Sequence, residues 1–238
     1  MKKLYEYSNE WVDTPDFHSF IKESFTDFVN NEPKLKKHRD FVEGNAFGFG
    51  ERCFGWLYKL MVDEMPNEFK FLEIGIFRGS TLSLFKLLAD ISGKKVKRYG
   101  ASPMDSSDGH WDSDYFADVV TIHQQFNLKK DYTIYHGSST DAKIIEKSKS
   151  TEQYDILYID GGHTFDIVQS DLANYPQMIK KGGYLLIDDA CNDMNQPWGF
   201  FQGIEPVTRA VLEWEKTDIG QEFEFVFNVI HNRLYKRK

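Results

Sequence analysis

The segment 154–190 constrains the fold more than any other part of the chain. Tyr154–Ile159 and residues 184–187 are short apolar runs with β-branched and aromatic residues, so both are predicted to be buried strands. Between them, apolar residues recur at helical spacing: Phe165, Val168, Leu172 and Tyr175. The lysines and glycines of 180–183 are typical of a helix C-terminus. Such a strand–helix–strand unit crosses over with a right-handed sense, so its strands are expected to be parallel.

Three carboxylates and a histidine follow these two predicted strands. Asp160 and His163 come directly after the first strand, and Asp188 and Asp189 follow the second. Parallel strands end at the same carboxyl edge of a sheet, which is where open α/β sheets bind ligands. Three carboxylates without clustered cysteines favour Mg²⁺, Mn²⁺ or Ca²⁺ over zinc. The segment therefore predicts a metal-assisted active site.

Structural explanations stay open for the same residues. Asp188 and Asp189 can cap whatever follows the strand, and Asp160 can be an ordinary loop acid. His163 can hydrogen-bond a backbone carbonyl or cap the next helix instead of accepting a proton in a reaction. Ion-pair networks with a structural role place acids at similar positions.

A second strand–turn–helix unit lies upstream. Residues 69–74 are predicted to form a strand that leads through Gly75 and Gly79 into a helix beginning near Ser80. Gly75 can adopt backbone angles forbidden to other residues, and Ser80 can satisfy free N–H groups at the helix start. With Glu73 the spacing is E-x-G-x-x-x-G, whereas pyrophosphate-binding turns have G-x-G-x-x-G. The pattern argues against a dinucleotide and leaves a nucleoside ligand open.

The remaining patterns complete an alternating α/β chain. Strands are predicted at 97–101 and Tyr132–His136, and a helix is predicted at 206–214. Residues 223–230 and 233–236 predict a closing hairpin with its turn at His231 and Asn232.

The chain before the first strand is rich in aromatic residues. Helical spacing relates Trp11, Phe17, Phe20, Ile21, Phe25, Phe28 and Val29. Residues 13–16 provide a start signal for this helix that includes Pro15. A second helix is predicted from about 51 to 65. Both helices can pack on the sheet or on a second subunit.

Composition limits the classes of function. No proline- or glycine-rich linker divides the 238 residues, so a single domain over 1–238 is expected. The net charge of −8 counts against a nucleic-acid partner, since such proteins usually present a basic face. Cys53 and Cys191 are too few for a disulfide framework, and no apolar run resembles a signal peptide or a membrane span. We therefore expect a cytoplasmic protein without a membrane partner.

Together, these motifs resemble the class I S-adenosylmethionine-dependent methyltransferases over residues 69–238. The segment 160–163 and the paired acids are most similar to the metal-dependent O-methyltransferases of the macrocin and mycinamicin type, which methylate sugar hydroxyls. Catechol O-methyltransferase is a more distant likeness. The resemblance implies a Rossmann-like, doubly wound α/β fold with a mostly parallel seven-stranded sheet, an antiparallel last strand and a helical N-terminal extension. It assigns 1–66 to a cover or lid and 67–238 to the core.

The resemblance also implies roles for the catalytic and metal-binding residues. The implied ligands of Mg²⁺, or of Mn²⁺ or Ca²⁺, are Asp160, Asp188 and Asp189. His163 is the implied general base, with Asp160 beside it. In similar enzymes the N-terminal region covers the substrate, so residues 47–50 are expected to form part of a lid.

The contacts implied for S-adenosylmethionine lie at several strand ends. They are made by Glu73, Gly75, Gly79, Ser80 and Asp160. Many relatives place an acid after the next strand to bind the ribose hydroxyls, but this chain has Ser102 there and Asp105 three residues later. Either residue can contact the ribose. Ser138 can meet the adenine edge, although a plain polar turn explains it equally well.

The loop 192–203 follows the acid pair and carries Trp198, Phe200 and Phe201. These rings are expected near the metal edge, where they can form an apolar wall for the substrate. Such a wall excludes water and strengthens nearby electrostatic interactions.

We therefore predict an S-adenosylmethionine-dependent, metal-assisted O-methyltransferase that acts on a hydroxyl of a small polar molecule, such as a sugar or a glycosylated metabolite. A hard cation lowers the pKa of an alcohol, and a nearby imidazole accepts the proton. Three alternatives stay open: a metal-free methyltransferase with His163 as base, an oxidoreductase or oxygenase, and a non-catalytic cofactor-binding protein. The missing G-x-G-x-x-G weakens a nicotinamide enzyme. Whether the chain forms a homo-oligomer is left open.

Overall fold

Helices cover both faces of one seven-stranded sheet in this protein. The computed structural model describes residues 2–105, 114–151, 153–194 and 200–238. The strands are β1 (Glu68–Ile74), β2 (Lys95–Ser102), β3 (Tyr132–His136), β4 (Tyr154–Ile159), β5 (Ile179–Ile187), β6 (Phe223–Val229) and β7 (Asn232–Arg237). The helices are α1 (Leu4–Glu10), α2 (Pro15–Asn31), α3 (Pro33–Gly44), α4 (Phe54–Glu64), α5 (Ser80–Ile91), α6 (Tyr115–Gln125), α7 (Ala142–Ser150), α8 (Phe165–Asn174) and α9 (Glu205–Trp214). In these described parts, no helix is long and apolar enough to cross a membrane.

The strand order is β3-β2-β1-β4-β5-β7-β6. Strands β1 to β5 pair in parallel, whereas β7 runs antiparallel to both β5 and β6. This confirms the predicted Rossmann-like fold with its antiparallel closing strand. Ile74 of β1 pairs with Ile159 of β4, and Ile159 pairs with Ile187 of β5. The residues that follow these three strands therefore emerge side by side.

Alternate residues of β1 enter two different hydrophobic cores. Phe69 and Phe71 belong to the core that contains the apolar residues of α2, α4 and α5. Leu72 and Ile74 belong to the core formed with α8 and α9. A strand buried on both faces is typical of a parallel sheet between two layers of helices.

The predicted end of the helix between β4 and β5 is wrong. Helix α8 ends at Asn174, and Pro176 follows in a short 3₁₀ turn, where its ring prevents a regular helix from continuing. The lysines and glycines of 180–183 lie inside β5, where the pairing register with β4 shifts. Lys180 Nζ contacts Asp155 Oδ1 of β4 at 2.8 Å. A bulged strand thus carries the residues that the sequence pattern placed at a helix end.

The N-terminal region contains more helix than the sequence pattern predicts. Helix α2 begins at Pro15 as expected, with the Thr14 side chain accepting a hydrogen bond from the Phe17 N–H, and the second predicted helix begins at Phe54. Trp11 precedes α2 and packs against Phe225 of β6. Helices α1 and α3 were not predicted, because α1 is short and α3 is strongly polar.

A buried histidine joins α3 to α5. His38 Nε2 lies 2.9 Å from Ser83 Oγ, and Ser83 in turn donates to the carbonyl of Ser80 at 2.7 Å. Because the serine proton is used in the second bond, His38 must donate through Nε2. Burial lowers the pKa of His38 to about 3, so the ring is neutral. The hydrogen bond fixes α3 above the start of α5.

The closing hairpin forms as predicted, with its turn one residue earlier than expected. Strand β6 ends at Val229 and β7 begins at Asn232, so Ile230 and His231 form the turn. Ile187 of β5 pairs with Arg233 of β7, and the Ala190 N–H donates to the His231 carbonyl at 2.8 Å. This register places His231 beside the end of β5.

We predict that Asp171 makes the protein less stable as the pH rises. Asp171 of α8 is fully buried, and burial raises the pKa of its carboxyl group to about 7. The folded state then holds a proton that the unfolded chain releases near pH 4, so this group's contribution to stability falls between about pH 4 and pH 7. Asp171→Asn stays neutral and should avoid this loss, which is at most about 4 kcal/mol at pH 8.

The measurement is urea unfolding of the wild type and of Asp171→Asn from pH 4.5 to pH 8. The matched control is Asp166→Asn, because Asp166 lies in the first turn of the same helix but is exposed. The free-energy difference between Asp171→Asn and wild type should rise with pH, while that of Asp166→Asn stays nearly flat. If the free energy of unfolding changed with pH in the same way in all three proteins, the raised pKa of Asp171 would be contradicted.

Candidate active site

A cavity of about 790 Å³ opens at the carboxyl edge of β1, β4 and β5. The predicted site residues that line it are Glu73, Gly75, Ser80, Ser102, Ser138, Asp160, His163, Asp188 and Asp189. Gly79 does not line the cavity; it precedes α5 with a φ of +88°. Asp105 is exposed and does not line it either. The fold thus brings the predicted catalytic, metal-binding and most cofactor-binding residues to one place.

The turn after β1 lies directly against the loop after β4. Gly75 has a φ of +86°, and a Cβ atom there would lie 1.9 Å from the backbone oxygen of Asp160. No side chain fits at that distance, and the left-handed backbone favours glycine as well. The Gly75 N–H also donates to the carbonyl of Ala101 at 3.0 Å. Glycine at this position lets the turn after β1 and the acidic loop line the same cavity.

Four donors surround the carboxylate of Asp188. Its Oδ1 accepts from His231 Nδ1 at 3.0 Å, from the Asp189 N–H at 3.0 Å and from Asn232 Nδ2. Its Oδ2 accepts from the Tyr158 hydroxyl at 2.8 Å. An ionised carboxylate offers about four lone-pair positions, so these bonds occupy its capacity. The orientation of Asp188 is therefore fixed.

The next residue, Asp189, stands between two histidines. Its Oδ2 lies 3.3 Å from His163 Nε2, and its Oδ1 lies 3.4 Å from His231 Nδ1. Asp189 has a φ of +56°, a conformation that aspartate tolerates better than most residues but that is still costly. Ile204 N–H donates to its carbonyl at 2.9 Å and helps to hold this backbone in place. The strained backbone aims the carboxylate at both rings.

Burial and mutual repulsion separate the pKa values of the acids. Burial would raise the pKa of Asp188, but the hydrogen bond and charge of His231 bring it below its ordinary value. Burial and the charge of Asp188 raise the pKa of Asp189 to about 6. Burial, followed by the charges of Asp188 and Asp189, raises the pKa of Asp160 well above its usual range. Acids with such different environments are typical of functional sites.

Glu73 is a further buried acid in the cavity wall. Only 1% of its surface is exposed, and its Oε2 has no hydrogen-bond partner within the described part of the chain. Burial raises the pKa of Glu73 well above its ordinary value. A buried oxygen without a hydrogen-bond donor costs free energy. A ligand that donates a hydrogen bond to Glu73 Oε2 would remove this cost.

One group of side chains has the spacing of a metal site. Within the described ranges, Asp188, Asp189 and His231 each place a ligand atom within 4.8 Å of the others. The predicted ligand Asp160 lines the same cavity but is not in this group. The set of Asp160, Asp188 and Asp189 therefore stays a prediction. The sequence pattern gave His231 no functional role, because only the pairing of β7 with β5 brings it to the acids.

The segment 47–51, which includes the residues expected to form a lid, lines the cavity. Arg39 of α3 donates to the carbonyl of Gly50 at 2.6 Å. The ring of Phe49 stacks on Phe77 of the turn after β1, with 5.3 Å between centroids, and is 65% exposed. The N-terminal region therefore contributes directly to the cavity, while its action as a lid stays a prediction.

Arg78, in the turn after β1, holds the segment 47–51 through contacts next to it. Arg78 Nε lies 2.6 Å from Asp118 of α6, and Arg78 Nη1 donates to the carbonyl of Ala46 at 2.8 Å. The guanidinium also lies 4.4 Å from the ring centroid of Phe47, a cation–π contact. One side chain thus connects the turn after β1 to α6 and to the segment that follows α3.

Aromatic rings flank the group formed by Asp188, Asp189 and His231. Phe54 and Phe201 line the cavity, and their rings meet that of His231 at centroid distances of 4.9 and 5.0 Å. Phe200 packs at the edge of the core, where Lys22 Nζ lies 5.2 Å from its ring centroid. Trp198, the third ring of the predicted apolar wall, lies outside the described residues. Phe54 was not predicted to belong to this wall.

A family model of a methyltransferase domain matches residues 72–190, which is half of the chain. The chain belongs to this methyltransferase family. The matched segment begins within β1 and ends just after the acid pair, so it contains the turn at Gly75 and both acidic strand ends. An uncharacterized protein of Acanthamoeba polyphaga mimivirus is 26% identical over 180 residues, covering 68% of this chain and 71% of that protein.

Several solved methyltransferase structures have the same fold as this chain. The O-methyltransferase of Bacillus cereus in complex with SAH has a TM-score of 0.61 at 11% identity, covering 90% of this chain and 97% of that one. The TDP-rhamnose 3′-O-methyltransferase CalS11 has a TM-score of 0.53 at 11% identity, with coverage of 95% and 96%. The MycE methyltransferase in complex with Mg, SAH and mycinamycin VI has a TM-score of 0.56 at 15% identity, covering 84% of this chain and 53% of that one.

These findings confirm the predicted class of protein, a class I S-adenosylmethionine-dependent methyltransferase. They favour methyl transfer over the oxidoreductase alternative. At such low identity the structural matches establish the fold alone, so the roles of individual side chains in this methyltransferase rest on its own geometry.

We predict that Gly75→Ala destabilises this methyltransferase more than its backbone angle alone requires. A left-handed backbone costs a non-glycine residue roughly 1–2 kcal/mol. At Gly75 the added methyl group also meets the backbone of Asp160, which cannot rotate away. Forced overpacking of this kind costs a further 1–3 kcal/mol or so.

Gly93→Ala is the matched control, because Gly93 also has a positive φ, of +67°, but a Cβ atom there would have no neighbour within 4 Å. Urea unfolding of both variants separates backbone strain from the close approach. An equal loss of stability in the two variants would show that the turn and the acidic loop are not in tight contact.

Proposed function

We propose that this methyltransferase transfers a methyl group from S-adenosylmethionine to a hydroxyl oxygen of a small polar acceptor, assisted by a divalent metal ion. The observation that carries the proposal is the contact of His163 Nε2 with Asp189 Oδ2 at 3.3 Å, beside the carboxylate of Asp188. An exposed histidine next to an acid pair, in the cavity that also contains the turn at Gly75, supplies a base where an acceptor and a methyl donor can meet.

His163 is suited to remove the proton of the acceptor. Its side chain is 45% exposed and faces the cavity, so an acceptor hydroxyl can reach it. A carboxylate can only accept, so Asp189 favours the tautomer with the proton on Nε2 and leaves Nδ1 to take the acceptor's proton. Asp189 also stabilises the imidazolium that forms. This is the role that an orienting acid has beside a general base.

Asp188 and Asp189 fit a divalent cation. Their oxygens lie close together, they are largely buried, and Tyr158 and Asn232 orient Asp188. A bound cation at this position would lower the pKa of an acceptor hydroxyl and neutralise the charge of the acids. The structure of MycE in complex with Mg and SAH, which shares this fold, supports the proposal.

The cofactor is proposed to occupy the part of the cavity formed by the ends of β1, β2 and β3. Glu73, Ser80, Ser102 and Ser138 line that part and offer oxygen atoms for an amine, a ribose or an adenine edge. Because the turn at Gly75 lies against the loop of Asp160, a cofactor bound there would lie next to an acceptor held near His163.

A sugar or a glycosylated compound is the proposed acceptor. A sugar presents hydroxyl groups together with apolar C–H faces. The cavity offers both kinds of surface: it is lined by the carboxylates and His163, and by the rings of Phe49, Phe54 and Phe201. The resemblance in fold to the TDP-rhamnose 3′-O-methyltransferase CalS11 supports the same class of acceptor.

A second candidate is methyl transfer with His163 as base and without a metal. One observation favours it: four protein donors already satisfy Asp188, including His231. The two candidates share the cofactor and the base and differ in their response to a chelator.

We predict that His163→Gln lowers methyl transfer 10²–10⁴-fold or so, while the dissociation constant for S-adenosylhomocysteine changes less than about threefold, because the base acts on the acceptor rather than on the cofactor. Transfer is measured from radiolabelled S-adenosylmethionine to a panel of nucleotide-linked sugars and sugar-bearing macrolides. Binding of S-adenosylhomocysteine is measured by calorimetry.

His136→Gln is the matched control, because His136 also lies at the end of a strand but faces solvent outside the cavity. It should leave both measurements unchanged. Failure of the wild type to bind S-adenosylhomocysteine would refute the proposed cofactor. Retention of full activity by His163→Gln would refute the base, and activity unaffected by a chelator would favour the metal-free candidate.

A further inference from the structure

We propose that His231 ligates the active-site metal through Nδ1, together with Asp188 and Asp189, and that the site therefore prefers a transition-metal ion such as Mn²⁺ or Co²⁺ to Mg²⁺. The inference rests on the proposed function, since it concerns the metal of the same site. It changes the ligand set that the family resemblance implies, because His231 takes the place that Asp160 was expected to fill.

The three donor atoms already converge. His231 Nδ1 lies 3.0 Å from Asp188 Oδ1 and 3.4 Å from Asp189 Oδ1, and the three ligand atoms lie within 4.8 Å of one another. Ligand atoms about 2 Å from one ion are separated by about 3 Å, so this spacing is close to that of a coordinated cation. Asp160 has no place in this group, although it lies near enough for the acid pair to raise its pKa.

Neighbouring groups fix Asp188 and His231. The Tyr158 hydroxyl and the Asn232 amide hold Asp188 through bonds that do not involve His231. The rings of Phe54 and Phe201 meet the imidazole edge-on, at interplanar angles of 87° and 76°, and leave only 6% of the His231 side chain exposed. Partners that orient ligands in this way are typical of metal sites and strengthen binding.

A proton and a cation compete for the same position. In the arrangement seen here, the Nδ1 proton of His231 points at the carboxylate of Asp188. A metal ion at this point would take over the contact to both carboxylates, and the proton would leave to solvent, as metal binding to histidine requires. Asp188 would keep its bonds from Tyr158, Asn232 and the Asp189 N–H.

The ligand type sets the preference among metals. Mg²⁺ binds oxygen ligands and keeps several waters, whereas imidazole suits first-row transition metals. Affinity for a site with a nitrogen ligand also rises from Mn²⁺ to Co²⁺ and beyond. We therefore expect Mn²⁺ and Co²⁺ to bind this site at least about tenfold more tightly than Mg²⁺.

The decisive experiment uses Mn²⁺ as the probe. Pulsed electron paramagnetic resonance of the Mn²⁺-loaded protein should show the modulation of a directly bound ¹⁴N nucleus. His231→Gln should abolish this modulation and weaken Mn²⁺ binding about tenfold or more, with a much smaller effect on Mg²⁺. His163→Gln is the matched control, because His163 also contacts Asp189 but is not in the group of three. It should keep the modulation.

Several outcomes overturn the inference. Mn²⁺ bound without ¹⁴N modulation in the wild type would make His231 a hydrogen-bond partner only, and this readout does not depend on any variant folding. Modulation lost in His163→Gln instead would assign the nitrogen to the other ring. Absence of Mn²⁺ binding would refute the metal site itself. Calorimetry with S-adenosylhomocysteine on the same samples tests the proposed function separately, since cofactor binding does not require this ligand.

Discussion

The close approach of the turn after β1 to the loop after β4 governs the geometry of the whole site. These two strands are neighbours in a parallel sheet, and the absence of a side chain at Gly75 lets the backbones nearly touch at Asp160. The turn leads directly into α5, and the loop leads to His163. One cavity that contains both the turn after β1 and the acidic loop after β4 therefore follows from strand order and one glycine.

Several acids lie close together at this edge, where burial and mutual repulsion disfavour their ionised forms. Hydrogen bonds offset this cost at Asp188. Asp188 is stabilised by donors from three different elements: Tyr158 of β4, Asn232 of β7 and His231 of the turn between β6 and β7. Burial raises the pKa of Glu73, whose Oε2 has no hydrogen-bond partner within the described residues, and burial and the neighbouring acids raise the pKa of Asp160. The acids of the site therefore differ in pKa: that of Asp188 is lowered, whereas those of Asp160 and Asp189 are raised. Such an arrangement is common where protons and charged ligands are handled.

The N-terminal helices are built into the site rather than appended to it. His38 of α3 hydrogen-bonds Ser83, which in turn bonds the carbonyl at the start of α5, and Arg39 holds the carbonyl of Gly50. Arg78 reaches from the turn after β1 to the segment after α3. Hydrogen bonds therefore connect the N-terminal part of the cavity wall to this turn and to α5. Loops that rest on rigid elements in this way can vary in sequence without disturbing the fold.

The sequence alone determined the strand–turn–helix units, because hydrophobic periodicity and glycine turns are local signals. It also determined that these strands run parallel and that the acids after them lie at one edge of the sheet. It misplaced the end of α8, since Lys180 and the glycines after it suit a helix end and a strand bulge equally well. Only the tertiary structure decided that His231, Asn232 and Tyr158 surround Asp188 and that Phe54 faces the same cavity. The hydrogen bonds to Asp188 join residues up to 44 positions apart in the sequence. They depend on the register of the antiparallel closing strand and on helix packing, for which no local pattern exists.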